Sequence, residues 1–236
     1  MNNTEYEWYT HGYKLFAYWN RKESVDECAE RMYGFFTDFA RMFPEWVPFW
    51  AGCWHNVFYE APSATILRDI ICKSRDPKNP DSAGSIVVCC NSGTDNINQY
   101  NYNRYIKHFI TVAAYDGYTN SIYIHFPPAN EDMKCLSNVD TYKNLFDIVV
   151  NHWSPEFGSV YCVLWRLTHK TIRHVGWLNY GSNKFGELPV LPNWASVIPV
   201  GNIGKYVLAT DELTDEAKLI KRVKALNKIL TPYYYP

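Results

Sequence analysis

The sequence predicts an α+β protein: one mainly antiparallel β-sheet with helices packed on it. Three patterns carry this expectation. An amphipathic helix with an aromatic turn behind it runs from Ser24 to Trp54, and a fainter copy of the same pattern runs from Asn138 to Trp165. Between and around them lie short apolar and aromatic runs bounded by Gly, Asn and Pro, which read as strands. Offsetting Ser24-Val25 onto Asn138-Val139 gives a strand–helix half-repeat, and two such halves sharing a sheet would bury both helical stripes. No linker-like stretch divides the 236 residues, so they read as a single domain, 1–236.

Taken in order, Tyr13 to Trp19 (YKLFAYW) is a first strand after Gly12. Ser24 and Glu27 then make a capping box, in which each satisfies a backbone donor of the other. Val25, Cys28, Ala29, Met32, Phe35, Phe36, Phe39, Ala40 and Phe43 follow at three- and four-residue steps, a stripe wide enough to need a core. Arg31 falls on the solvent side of that projection, where truncation should cost little. Pro44 stops the helix, and Trp46, Phe49, Trp50 and Trp54 follow. Ser63 caps a short helix, Ala64 to Cys72, with Ile66, Leu67, Ile70 and Ile71 inward. The charged, Pro-bearing segment Ser74 to Gly84 is an exposed loop.

Ser85 to Cys90 (SIVVCC) is a continuous apolar run, as expected of a central strand. Tyr105 to Tyr115 and Ser121 to Phe126 flank a short turn and form a hairpin. A second helix spans Val139 to His152, with Tyr142, Leu145, Phe146, Val149 and Val150 on its inner stripe. Val160 to Leu167 and Thr171 to Tyr180 read as extended. The three prolines of LPVLPNWASVIP predict an extended surface strap. Gly201 to Gly204 is a turn, Tyr206 to Ala209 a last strand, and Thr214 the cap of a final helix through Leu230. Leu219, Ile220, Val223, Leu226 and Leu230 face inward there.

Composition narrows the function classes. Aromatics make up 17%, with 19 Tyr and 9 Trp, which fits a thick aromatic core with Tyr at its rim or facing a partner. A net charge of −1 argues against a nucleic-acid binder with a basic stripe and against a globally acidic DNA mimic. Seven Cys show no C-x-x-C pair and no zinc-ligand spacing. They read as buried thiols of a reducing compartment, with no metal and no cofactor expected. The first residues carry neither a basic nor an apolar leader segment, and no run reaches membrane-spanning length, so a cytoplasmic protein is expected.

No catalytic template is met: there is no G-x-S-x-G elbow, no phosphate loop and no H-E-x-x-H helix. His169 and His174 are five apart, which suits neither one helix face nor a strand pair. A Cys–His pair from Cys53 with His55, or Cys162 with His169, stays open but is not specified by spacing, and the chain reads as a non-enzyme. Asn91 to Tyr105 is more informative, because Asn, Ser, Asp and Tyr are what recognition loops use. Asp95, Asn96, Asn98, Tyr100 and Tyr102 are its candidate contacts; the bland alternative is a solvated connection. Asp26, Glu27 and Glu30 on the first helix form a second, acidic candidate, which equally fits a solvated face.

Several segments, in order, resemble the bacterial immunity protein 52 family. They are ESVDECAERMYGFFTDFARMFPEW, SIVVCCNSG, TNSIYIHFP, and VGWLNYGS followed by ELPVLP and GKYVLATDE, and together they span most of the chain from Tyr13 to Leu230. The resemblance implies a non-catalytic cytoplasmic antitoxin that binds and neutralises a cognate polymorphic toxin, usually a restriction-endonuclease-like nuclease. It implies no direct contact with nucleic acid or membrane. The aromatic load and the long Asn/Tyr loop depart from the family pattern and point to a different toxin partner. A carbohydrate or small-ligand binding module using exposed aromatics is the second reading, and an enzyme with an unrecognised site the third.

Overall fold

The computed structural model describes residues 12–21, 23–44, 49–52, 58–60, 62–75, 78, 84–91, 105–112, 120–126, 136–168 and 175–234. It is α+β, and its registered strand pairings are antiparallel. The chain forms two compact units, each discontinuous in sequence. A central unit comprises Tyr18–Phe126 and Asp147–Ser154; a terminal unit comprises Met1–Ala17, Pro127–Phe146 and Pro155–Pro236. The chain leaves the terminal unit within β1 (Tyr13–Trp19), the strand read from YKLFAYW.

In the central unit the strand order is β3 (Phe58–Glu60), β2 (Phe49–Gly52), β4 (Gly84–Asn91), β5 (Tyr105–Val112) and β6 (Asn120–His125). Helix α1 (Val25–Met42) starts where its capping box predicts. The Ser24 amide donates to Glu27 Oε2 at 2.9 Å, and the Glu27 amide donates to Ser24 Oγ at 3.2 Å. Its buried face, Cys28, Ala29, Met32, Phe35, Phe36 and Phe39, is the expected stripe, while Val25 and Ala40 at its margins are half-buried. Helix α2 (Ala64–Ser74) packs beside α1 and buries Leu67, Ile70 and Ile71. It runs two residues past the expected end at Cys72, because its last turn is closed by Ser74, whose hydroxyl donates to the Ile71 carbonyl at 2.8 Å.

The residue before the cap of α1 is usually an apolar staple. Here it is Glu23, 4% exposed. Its carboxylate accepts from Trp19 Nε1 at 2.9 Å, from Arg21 Nε at 2.8 Å and from Arg31 Nη1. Arg21 reaches on to the Ser154 carbonyl at 3.2 Å, and its own carbonyl accepts from Asn120 Nδ2 at 2.9 Å. The Arg31 guanidinium lies over the Trp153 ring, which stacks on Trp19 at 4.9 Å between centroids. This corrects the solvent-side reading of Arg31: its Cα sits at the flank of the stripe, and its long side chain folds back onto Glu23. Arg31→Ala should therefore cost about 1.5–3 kcal/mol, the value of a hydrogen bond to a buried charge. A denaturant midpoint matching the parent would restore the solvent-face reading.

In the terminal unit the order is β1, β7 (Phe157–Cys162), β8 (Leu178–Ser182), β10 (Gly204–Leu208) and β9 (Ser196–Val200). Helix α3 (Val139–Trp153) begins at the expected residue. Asn138 Oδ1 accepts from the Asp140 amide at 2.9 Å. Its first half lies in this unit, where Tyr142 meets the rings of Tyr13 and Trp177 edge-on and Phe146 packs against Tyr180 and Tyr206. Four expectations are corrected. Val160 to Leu167 is not one extended run, because β7 ends at Cys162 and a short helix α4 (Val163–Thr168) follows. Val160 to Trp165 is an unbroken apolar run, which has no periodicity to separate the two. Within the proline-rich strap, 188–195 is irregular, but Ser196–Val200 pairs with β10 as the last strand in the order. Pro199 has no N–H to donate, which an edge strand tolerates.

The last two corrections concern the C-terminal helix, α5 (Glu216–Tyr234). Asp215, not Thr214, caps it, its Oδ1 accepting from the Lys218 amide at 2.9 Å. The helix also continues past Leu230 to Tyr234, whose buried ring packs on Phe157 at 4.5 Å. Leu219, Val223, Leu226 and Leu230 are buried as expected, and Ile220 is half-buried.

Candidate partner-binding surface

The candidate contacts Asp95, Asn96, Asn98, Tyr100 and Tyr102 lie outside the described residues. What the structure fixes is the frame that carries them. β4 and β5 pair antiparallel up to Asn91 opposite Tyr105, so segment 92–104 joins two neighbouring strands at one end of the central unit's strand array. His169, His174, Cys53 and His55 also lie outside the described residues.

The acidic candidates on α1 are described, and they divide by environment. Glu27 is engaged in the capping box. The Ser24 amide, and after it the Ser24 hydroxyl, hold its carboxyl below the usual range. A depressed folded-state value means that the interaction stabilises above the unfolded carboxylate range and is lost as pH falls through the folded value. Glu27→Gln should accordingly be less stable than the parent at neutral pH, with the gap closing in acid. A gap that persists in acid would show that packing, not charge, is being read.

Asp26 is exposed and ion-paired to Arg68 of α2. Glu30 is exposed and has no hydrogen bond or ion pair among the described residues. One turn on, Tyr33 is 48% exposed and Met42 at the helix end 42%. Asp26, Glu30, Tyr33, Thr37 and Arg41 all lie on the solvent side at three- and four-residue steps. The outcome is a stripe in which an unpaired carboxylate stands beside an exposed phenol. Tyr is a preferred interface anchor, because its ring gives area and its hydroxyl a polar handle at little entropic cost. Sequence reasoning named the carboxylates and missed Tyr33; its signal was a large aromatic on the polar side of the projection.

Nothing comparable marks a reaction centre among the described residues. No group of three or more His, Cys, Asp or Glu is placed to hold a metal there. Cys162 is buried, and burial pushes its thiol up, which disfavours the thiolate a nucleophile needs. His152 Nε2 lies 2.8 Å from Asp38 Oδ2, with its ring edge-on to Phe35, an arrangement that ties α3 to α1 within the central unit. No helix of the described residues is long and apolar enough to cross a membrane.

No protein-family model matches the chain, and no curated protein matches it. Among solved structures it is similar to the Pseudomonas aeruginosa T6SS protein PA0821, with a TM-score of 0.56 and 13% identity. The likeness covers 94% of this chain and 72% of that one. At that identity what is shared is the fold.

Proposed function

We propose that this chain is an immunity protein, similar to the immunity protein 52 family, which binds and neutralises a cognate polymorphic toxin inside the producing cell. The observation that carries the reading is a fold shared along nearly the whole chain with a T6SS protein. The ordered sequence resemblance supports it from an independent direction. On this reading the protein acts by binding, without cofactor or metal, in the cytoplasm, and the toxin is a nuclease. A nuclease cleft must hold phosphate and is therefore positive, so acidic groups on the inhibitor gain both on-rate and fit.

Two surfaces are proposed to meet the toxin: Glu30 with Tyr33 on α1, and the 91–105 segment with Asp95, Asn96, Asn98, Tyr100 and Tyr102. The deciding experiment is co-expression with the product of the neighbouring toxin-bearing gene, scored by co-purification and cell survival. Failure of both would end the proposal. Given a complex, the Glu30→Lys/Tyr33→Ala double variant should lose about 2 kcal/mol or more of binding. The fold should stay within about 0.5 kcal/mol of the parent, because both side chains are exposed. Unchanged affinity would move the anchor to Tyr100 and Tyr102, tested by their double change to Ala.

A further inference from the structure

The terminal unit's strand order ends at β9, whose outer side meets no further strand among the described residues. Charge, the usual guard of such an edge, is missing. From Leu188 to Gly204 no residue is charged, in a chain where 20% of residues are. Val197 is 45% exposed, and Ser196 and Pro199 are exposed beside it. An uncharged, partly apolar edge is a template for strand addition, and a second copy of the chain is always at hand to add.

The backbone hydrogen bonds fix which groups β9 turns outward. The Asn183 amide donates to the Ile203 carbonyl at 3.0 Å, and the Ala209 amide to the Trp177 carbonyl at 2.7 Å. Both pairs continue the β8–β10 register, so Lys205 and Val207 bond to β8 while Gly204, Tyr206 and Leu208 turn to β9. Their partners there are Val200, Ile198 and Ser196. Val197 and Pro199 therefore direct their backbone groups away from the sheet, with Ala195 next in the alternation. Pro199 has no N–H, and the Ala195 N–H is engaged by the Pro192 carbonyl at 2.9 Å. Val197 is left as the one outward donor of the strand.

We propose that Pro199, with the turn closed at Ala195, keeps a second copy of this chain from pairing along β9. The device concerns the chain alone and holds whatever partner it binds. Three registers centre two antiparallel copies on this strand. With Val197 opposite Val197, the pair exchanges two hydrogen bonds, and the flanking Ala195–Pro199 pairs add none because neither donor is free. With Val197 opposite Pro199, each Val197 N–H reaches a Pro199 carbonyl, and each Val197 carbonyl faces a missing donor. With Pro199 opposite Pro199, the central pair has no donor at all. The ladder therefore stops at two bonds and covers carbonyls that stay unpaired, which costs more than the bonds return. Pro199→Val would complete the second register to four.

Sedimentation equilibrium of the full chain is the test. Pro199→Val should self-associate at least about tenfold more tightly than the parent, the scale of two added hydrogen bonds. Adding Val197→Pro to Pro199→Val removes the other outward donor and should return association to the parent's level. Thermal melts keep folding apart from association. Val197→Pro and Pro199→Val change only outward N–H groups and should melt near the parent. Ile198→Pro removes an N–H that faces β10 and should melt lower. A Pro199→Val protein no more associated than the parent would overturn the proposal, as would association that Val197→Pro does not reverse. A parent already dimeric through this edge, and made monomeric by Val197→Pro, would overturn it too. So would equal melts for Ile198→Pro and Val197→Pro, because β9 would then not face as described.

Discussion

Glu23→Ala should lower the stability of the protein by about 3–5 kcal/mol, the cost of breaking a buried charged network from one side. The carboxylate is nearly fully buried, and four side chains converge on it: Trp19, Arg21, Arg31 and Cys28. Removing it strips the acceptor from Trp19 Nε1, on a side chain 1% exposed, and sets two guanidiniums against each other. Those guanidinium side chains are 35% and 25% exposed, so water relieves part of the repulsion and keeps the loss within that range. Glu23→Gln retains the shape and an acceptor but not the charge, and should fall between parent and Glu23→Ala. Denaturant unfolding measures both. A cycle with Arg31→Ala should return a coupling of about 1 kcal/mol or more, since the two share one hydrogen bond. Additive losses, or a Glu23→Ala cost near zero, would show that the carboxylate is accommodated rather than required.

That network also shows what could be read from the residues beforehand and what could not. Elements set by local chemistry were legible. Ser24 with Glu27 placed the start of α1 to the residue, Ser63 that of α2, and the YKLFAYW run gave β1 end to end. The buried stripe of α1 followed from helical spacing alone, because nine apolar positions on one side leave no other packing. Interactions set by tertiary geometry were not legible. Nothing local says that a glutamate in the staple position turns inward, since its partners come from β1, from α1 two turns on and, through Arg21, from residue 154. Val160 to Leu167 reads as extended because six of its eight residues, those before Arg166, form one unbroken apolar run, and the choice between strand and helix is made where Trp165 is buried with its Nε1 donating to Glu216 at 2.7 Å. Asp215 was passed over for Thr214 because both are good caps one residue apart. The candidate surface was half legible: charges mark themselves, whereas an exposed Tyr33 is told from a core tyrosine only once the helix has been docked.

Gly176→Ala should cost more than about 4 kcal/mol, in the exceptional range for a single added methyl. The reason is space, not backbone conformation, because the φ of Gly176 is not positive. A Cβ there would lie 1.9 Å from the carbonyl oxygen of Val160 and 2.5 Å from its carbonyl carbon. That oxygen belongs to the β7 backbone and already accepts from the Trp177 amide at 3.0 Å, so no side chain can swing aside. Moving Gly176 instead breaks its pairing with the buried Asn179, whose Oδ1 accepts from the Gly176 amide at 2.8 Å and whose Nδ2 donates to its carbonyl at 2.9 Å. Asn179 is wholly buried and would be left with unmade hydrogen bonds, each loss worth about 1–3 kcal/mol. Gly186 supplies the control, since it has a φ of 77° and nothing within 4 Å of the added atom. Gly186→Ala pays only for a backbone, φ 77° and ψ −144°, that glycine alone adopts readily, about 1–3 kcal/mol. Thermal melts of the two variants should therefore separate clearly, with Gly176→Ala far lower or not folding at all. A Gly176→Ala protein that melts with Gly186→Ala would mean that β7 and the turn into β8 do not close on each other as tightly as these distances require.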